Sequence, residues 1–184
     1  MTDICFSGGC RGADAVFGEE ATKAGHKVVH WAFSGMHSKC PEEQVYRLPS
    51  NKLQEADDTL VKANKILGRT YPSRFVYTNN LLRRNYWQIK ETERVYAVSS
   101  LLEDGKVKGG TGWAVAMAIL KEVPEIYFYD QELKVWHKHI FILGSPWSWV
   151  AGKPIPKPHG KYTGIGSSVL NDAGENAIRK LYNG

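Results

Sequence analysis

The sequence predicts an α/β domain, a mainly parallel sheet with helices on both faces. Three observations predict it. Short apolar runs of strand character alternate along the chain with stretches whose apolar residues recur at helical spacing. Glycine-rich turns stand where strands give way to helices, at the start, the middle and the end of the chain. One helical stretch, "GGTGWAVAMAILKEV", is apolar nearly all round, as a helix buried against a sheet must be.

Taken in order, "ICFS" is a short strand that runs into the turn "GGCRG". Ala13, Val16, Phe17, Ala21 and Ala24 then recur at helical spacing, and Gly25 stands where a C-terminal cap belongs. "HKVVHW" reads as a second strand. Leu53, Ala56, Leu60, Ala63 and Leu67 mark one amphipathic helix, and "NNLLRRNYWQIKET" marks the next. "RVYAVSS" is an apolar strand, followed by the glycine turn and the apolar helix. "EIYFYDQELKVWHKHI" reads as a strand, a turn at Asp130–Glu132 and a short returning strand. "SPWSWVAGKPIPKPHGKY" is an ordered connecting loop, because tryptophans are costly to leave in water. The final stretch repeats strand, glycine turn and helix, with Ala173, Ala177, Ile178 and Leu181 as the apolar stripe.

A length of 184 residues fits a single domain, 1–184, able to bury a core without disulfides or metal. Cys5, Cys10 and Cys40 are an odd number without a C-x-x-C pair, which points to reduced thiols. With no apolar run long enough for a bilayer and no secretory pattern at the start, the expectation is a cytoplasmic protein without a membrane partner. The net charge of +5 suits an anionic partner without naming one. His30, His37 and Cys40 are too loosely spaced to make a zinc set, so no metal and no cofactor is assigned.

In a parallel sheet, ligands sit at the carboxyl ends of the strands. That rule gathers Ser7–Asp14, Ser99–Ser100 and Gly109–Gly112 on one rim. Glycine turns there can adopt φ > 0 and bring bare backbone N–H groups to an anion, and the following helix points its positive end the same way.

"SGGCRGAD", "RRNYWQIKETERVYAV", "GGTGWAVAMAI" and "GIGSSVLNDAG" together resemble the SLOG superfamily, which includes the Lonely Guy phosphoribohydrolases, the DNA-processing protein A family and the YspA-like proteins. The resemblance spans most of the chain. In YspA-like relatives the unit with a G-S-R type turn comes first and the "SGGARGAD" type turn second. Here the first unit is C-terminal, so the chain resembles a circular permutation of that pattern. The resemblance implies a Rossmann-like fold and a nucleotide-derived ligand, and also homo-oligomeric assembly.

The positions that match are Ser7, Gly8, Gly9, Arg11, Gly12 and Asp14 in the first turn, with Cys10 where alanine is usual. Arg11 is a candidate for a phosphate or for the sheet edge, and Asp14 for a ribose hydroxyl or for the helix N-terminus. Gly109, Gly110, Thr111 and Gly112 match the second phosphate turn. Gly166 and Ser167 match at the C-terminal turn, where Ser168 replaces the usual arginine. Relatives place the Arg84–Asn85 pair toward the ligand, and Arg83 is expected outside the site. Trp113 is a candidate for base stacking or for the core.

Lonely Guy type enzymes carry P-G-G-x-G-T-x-x-E, and on "GGTGWAVA" the glutamate falls at Ala116. The function expected is therefore binding, for sensing or sequestration, of a nucleotide-derived small molecule such as an ADP-ribose-type or cyclic nucleotide signal. Sequestration, as by a phage or accessory protein, needs no effector module. The alternative is a phosphoribohydrolase-like N-glycosidic hydrolase using Asp14 or Glu19. The third reading is single-stranded nucleic-acid binding through Arg83, Arg84 and the Lys153–Lys161 loop.

Overall fold

The computed structural model describes residues 2–183. Along them run β1 (Ile4–Ser7), α1 (Ala13–Lys23), β2 (Lys27–Phe33), β3 (Val45–Leu48), α2 (Ser50–Gln54), α3 (Asp57–Leu67) and α4 (Val76–Ile89). The second half holds β4 (Arg94–Ser99), α5 (Gly109–Leu120), β5 (Glu125–Asp130), β6 (Val135–His139), β7 (Trp149–Ala151), β8 (Lys161–Gly166) and α6 (Asp172–Asn183). The fold is α/β and Rossmann-like. All eight strands share one sheet in the order β3-β2-β1-β8-β4-β5-β6-β7, parallel from β3 to β5 and antiparallel beyond.

Strands β4 and β5 are apolar on both sides because both sides are covered. Val95, Ala97, Ile126 and Phe128 face α5, whereas Tyr96, Val98, Tyr127 and Tyr129 join the core under α1 and α6. Helix α5 is buried from Thr111 to Ile119, packed on the sheet and also against α3 and α4. Gly25 follows α1 with φ of 78°, a left-handed value that a side chain would strain.

The C-terminal strand β8 lies between β1 and β4. Traced from β8 through α6 into β1, as though the termini were joined, the strands β3, β2, β1, β8, β4 and β5 stand fourth, third, second, first, fifth and sixth. The winding direction reverses between β8 and β4, as it does at the switch point of a doubly wound sheet. Asp3, just before β1, and Tyr182, in α6, come together beside the central strands β1 and β8. His26 touches Asp3 (3.5 Å) and Tyr162 (2.9 Å), and Tyr162 reaches Tyr182 in the last helix (3.0 Å).

Three expectations change. The helix predicted over Leu53–Leu67 breaks at Glu55–Ala56 into α2 and α3. Leu53 packs with Phe33 and Leu48, while Leu60 and Leu67 pack with Leu82 and Met117, so the two pieces serve different cores. β3 carries no clear alternation, since it has only four residues and two are exposed. β7 lies inside the Pro-, Gly- and Trp-rich stretch read as loop. That stretch is tied down as expected: Trp147 Nε1 donates to the Ile66 carbonyl (3.2 Å) and Trp149 Nε1 to that of Gly105 (3.0 Å). Among the described residues no helix is long and apolar enough to cross a membrane.

Candidate functional site

β1, β8 and β4 end side by side, and a cleft of roughly 710 Å³ opens above β8 and β4, where the winding direction reverses. Its wall includes Asp14, Arg84, Asn85, Ser99, Ser100, Gly109, Gly110, Thr111, Gly166 and Ser167. Leu81, Leu82, Trp113, Ile165 and Val169 give it an apolar side.

The first glycine turn is closed by protein. A β-carbon on Gly8 would overlap Arg84 Nη1 and lie 2.5 Å from Asp14 Oδ2. Gly9, with φ of 63°, is pressed against Ser38 and His30. Gly12, with φ of 84°, meets the Ser167 carbonyl oxygen, and the Ala13 amide donates to that oxygen at 3.1 Å. These three glycines match the motif but do not stand on the cleft wall; they let the first turn interlock with Arg84 and with the C-terminal turn. Ser7 is likewise fully buried, its hydroxyl donating to the Asp14 carbonyl.

Arg11 is exposed, and among the described residues it makes neither a hydrogen bond nor an ion pair and does not line the cleft. Arg84 does line it, as does Arg69. Arg84 is 4% exposed, its Nη1 lies 3.4 Å from Asp14 Oδ2, its Nη2 lies 3.4 Å from Cys10 Sγ, and its Nε has no partner. Asp14 also accepts from the Gly166 amide through Oδ1 (3.2 Å), so one carboxylate ties β1's turn, β8 and α4 together. Burial pushes the Asp14 carboxyl up from its ordinary range, and the Arg84 guanidinium pulls it back part of the way.

The second glycine turn is open. Nothing lies within 4 Å of a β-carbon placed on Gly109 or Gly110, and both residues are exposed at the cleft. They begin α5, whose N-terminal end has no side-chain cap and no acidic residue in its first turn. Its first N–H groups have no intrahelical acceptor, and the helix dipole adds positive potential there. Gly112 differs, since a β-carbon there would overlap the Val107 carbonyl oxygen. Thr111 is buried beside it.

Side chains from elsewhere hold this turn in place. Asn85 Nδ2 donates to the Gly110 carbonyl (3.2 Å), while Gln88 Nε2 donates to Asn85 Oδ1 (3.0 Å). Ser99 Oγ donates to the Lys108 carbonyl (3.3 Å). Arg69 donates to the Gly109 and Val107 carbonyls at 2.7 and 2.8 Å. Sequence reasoning missed Arg69. The only signal was a polar, Pro-containing link, "GRTYPSRF", between two helices. Arg69, Arg84 and Lys108 are the cleft's cations, and Asp14 and Glu132 are its carboxylates.

Trp113 is 5% exposed and packs with Tyr71, Leu82 and Met117, so it is mainly core with an edge on the cleft. Ala116 is fully buried in the same cluster and off the cleft wall. A glutamate there would lie in helix packing. Glu19 pairs with Lys23 and Arg179 on the outer face, away from the cleft. Arg83 is held bidentately by Asp57 (2.7 and 3.0 Å), and Arg84 is enclosed, which leaves neither free for a nucleic-acid backbone. The Lys153–Lys161 loop does not reach this rim. Among the described residues no cluster of histidines, cysteines and carboxylates is arranged to hold a metal.

The chain matches no family model, no curated protein and no solved structure.

Proposed function

We propose that the protein binds a nucleotide-derived small molecule in this cleft and holds it intact, with a phosphate on the N-terminal end of α5. The observation that carries this reading is the open turn at Gly109–Gly110, an uncapped helix end without a carboxylate, at the point where the sheet reverses direction. Arg69 and Lys108 add positive charge beside it, and the Leu81, Leu82 and Val169 side suits the planar part of such a ligand. The strand order traced from β8, together with the motifs "SGGCRGAD" and "GIGSS" now packed against each other, supports membership of a circularly permuted SLOG-like group.

Holding rather than cleaving is favoured by the carboxylates present. Asp14 is committed to Arg84 and Gly166, and Glu132 stands exposed at the β5–β6 turn. N-glycosidic cleavage needs a group free to activate water or stabilise the sugar cation. Capture of an intact ligand fits sequestration or sensing inside the cell.

The test is a thermal-shift panel of mononucleotides, cyclic nucleotides, NAD and ADP-ribose, with native mass spectrometry of the purified protein. A ligand that binds only the folded state raises the melting temperature through RT ln(1 + [L]/Kd). At least one member is expected to do so and to be recovered chemically unchanged. No shift with any member, or release of free base from a mononucleotide, would overturn the reading.

A further inference from the structure

A second hollow lies away from the glycine rim, on the face of the sheet that carries α6. Beyond β5 the chain returns through a hairpin instead of crossing over, so no helix covers β6 on that face. A space of roughly 730 Å³ remains there, bounded by β6, α6 and the segment before β8. Its floor is aromatic: Tyr129 and Trp136 sit directly opposite in the β5–β6 ladder, with ring centroids 5.2 Å apart.

Four lysines surround that floor, and among the described residues no carboxylate lines it. They come from separate pieces of chain: Lys134 from the hairpin turn, Lys153 and Lys157 from the segment before β8, and Lys180 from α6. Among the described residues none of the four has a carboxylate partner, so their charges converge on the hollow without a counterion. Lys134 is also held at φ of 56°, where glycine or asparagine would be cheaper. Like charges gathered without counterions repel, so this arrangement disfavours the empty state and favours a multiply charged anion.

The chemistry of the lining narrows the anion. Lysine ammonium groups act as mobile point charges and suit clustered phosphates more than a single planar carboxylate, for which arginine forks serve better. The exposed part of Trp136 offers a surface for a flat ring. The hollow has the size of a single-ligand pocket, not the length of a strand-tracking groove.

We propose that this hollow is a second binding site, independent of the glycine rim, for an aromatic polyphosphate of the nucleoside di- or triphosphate class, with the phosphates among the four lysines and the ring on Trp136.

The experiment is isothermal titration of the full chain with ATP, inorganic tripolyphosphate, adenosine and a single-stranded oligothymidylate. The variants are Lys153→Glu/Lys180→Glu, Trp136→Phe and Gly110→Asp, each first shown to melt cooperatively. The lysine pair is exposed, so its reversal leaves the core untouched. ATP affinity is expected to fall at least about tenfold in the lysine variant, consistent with lost charge-assisted contacts. The component of ATP binding that the lysine reversal removes should persist in Gly110→Asp, which separates this site from the glycine rim. Trp136→Phe should weaken ATP and leave tripolyphosphate unaffected, and adenosine alone should bind far more weakly. ATP binding indifferent to the lysine reversal would overturn the proposal. So would oligothymidylate binding more tightly than ATP with the same dependence on Lys153 and Lys180, which would make the hollow a nucleic-acid contact.

Discussion

At the start of α1 the room that glycine leaves is taken by protein, whereas at the start of α5 it stays empty. Gly8 makes way for the Arg84 guanidinium and Gly12 for the Ser167 carbonyl, but Gly109 and Gly110 face open cleft. Both turns follow parallel strands and both precede helices, so by pattern they are the same device. The difference teaches that a glycine turn records only that something approaches the backbone closely. In the first case the approaching group belongs to the chain itself, and in the second the space is open to the ligand proposed above.

If the first turn is a structural lock, its variants should damage the fold more than those of the second. The largest effect is expected from Arg84→Ala. This change leaves Asp14 buried without its cation, and breaking a buried pair typically costs about 3–5 kcal/mol. Chemical denaturation would measure it, and a loss below about 1 kcal/mol would mean that the first turn is not locked by this pair. Gly12→Ala comes next, at about 2–4 kcal/mol. It combines a left-handed φ with a β-carbon driven against the Ser167 backbone, neither of which a rotamer change relieves. For a chain of this length that is a fall in Tm of very roughly 10 °C.

The sequence made the core of this architecture legible, and the reasons are particular. β4, β5 and α5 read clearly because burial on all sides leaves almost no polar residue to blur the pattern. The interleaving of β8 between β1 and β4 was accessible only through motif order, since periodicity says nothing about which strands pair. β3 escaped notice because a four-residue edge strand with Arg47 at its centre has no alternation to detect. Of the residues singled out in the sequence, Gly109, Gly110, Thr111, Arg84 and Asn85 line the cleft. Arg11 does not line it: an arginine inside a glycine motif reads as an anion contact, yet Arg84, remote in sequence, fills the space beside Gly8. Arg69 acts on backbone carbonyls, a role that leaves no signature in residue type.

His30 sharpens the comparison through pH. It lies fully buried beneath the first turn, against Gly9 and Gly18, and among the described residues neither ring nitrogen has a partner. Burial first, and the nearby Arg84 charge second, push its pKa down from 6.5 to about 4. A histidine neutral in the folded state and protonated in the unfolded one contributes stability above pH 6.5, and this is lost progressively as pH falls toward 4. At 1.36 kcal/mol per unit, the loss between pH 6.5 and pH 5 is about 2 kcal/mol. His30→Leu should remove that slope, so the stability difference between wild type and variant should shift by about this amount over the interval. Parallel pH profiles would mean that water reaches the ring and that the first turn is not sealed.

The smallest effects on stability are expected at Gly110 and Arg11, and they decide which turn carries the ligand. Gly110 has ordinary helical φ and no neighbour within 4 Å of an added β-carbon, so Gly110→Asp meets no steric obstacle. An acidic residue in the first turn of α5 also complements the helix dipole, which is worth about 0.3–1 kcal/mol. The variant should therefore be as stable as the wild type or slightly more so, while losing at least about a hundredfold in affinity for whichever nucleotide-type ligand the thermal-shift panel identifies, because a carboxylate then occupies the anion's place. A stability gain combined with a binding loss is hard to obtain by any general disturbance of the fold. Arg11→Ala supplies the opposite control. Its side chain is exposed and partnerless among the described residues, so stability should stay within about 0.5 kcal/mol and affinity should not change. If Arg11→Ala weakens binding and Gly110→Asp does not, the ligand sits on the first turn, and the contrast between the two turns is reversed.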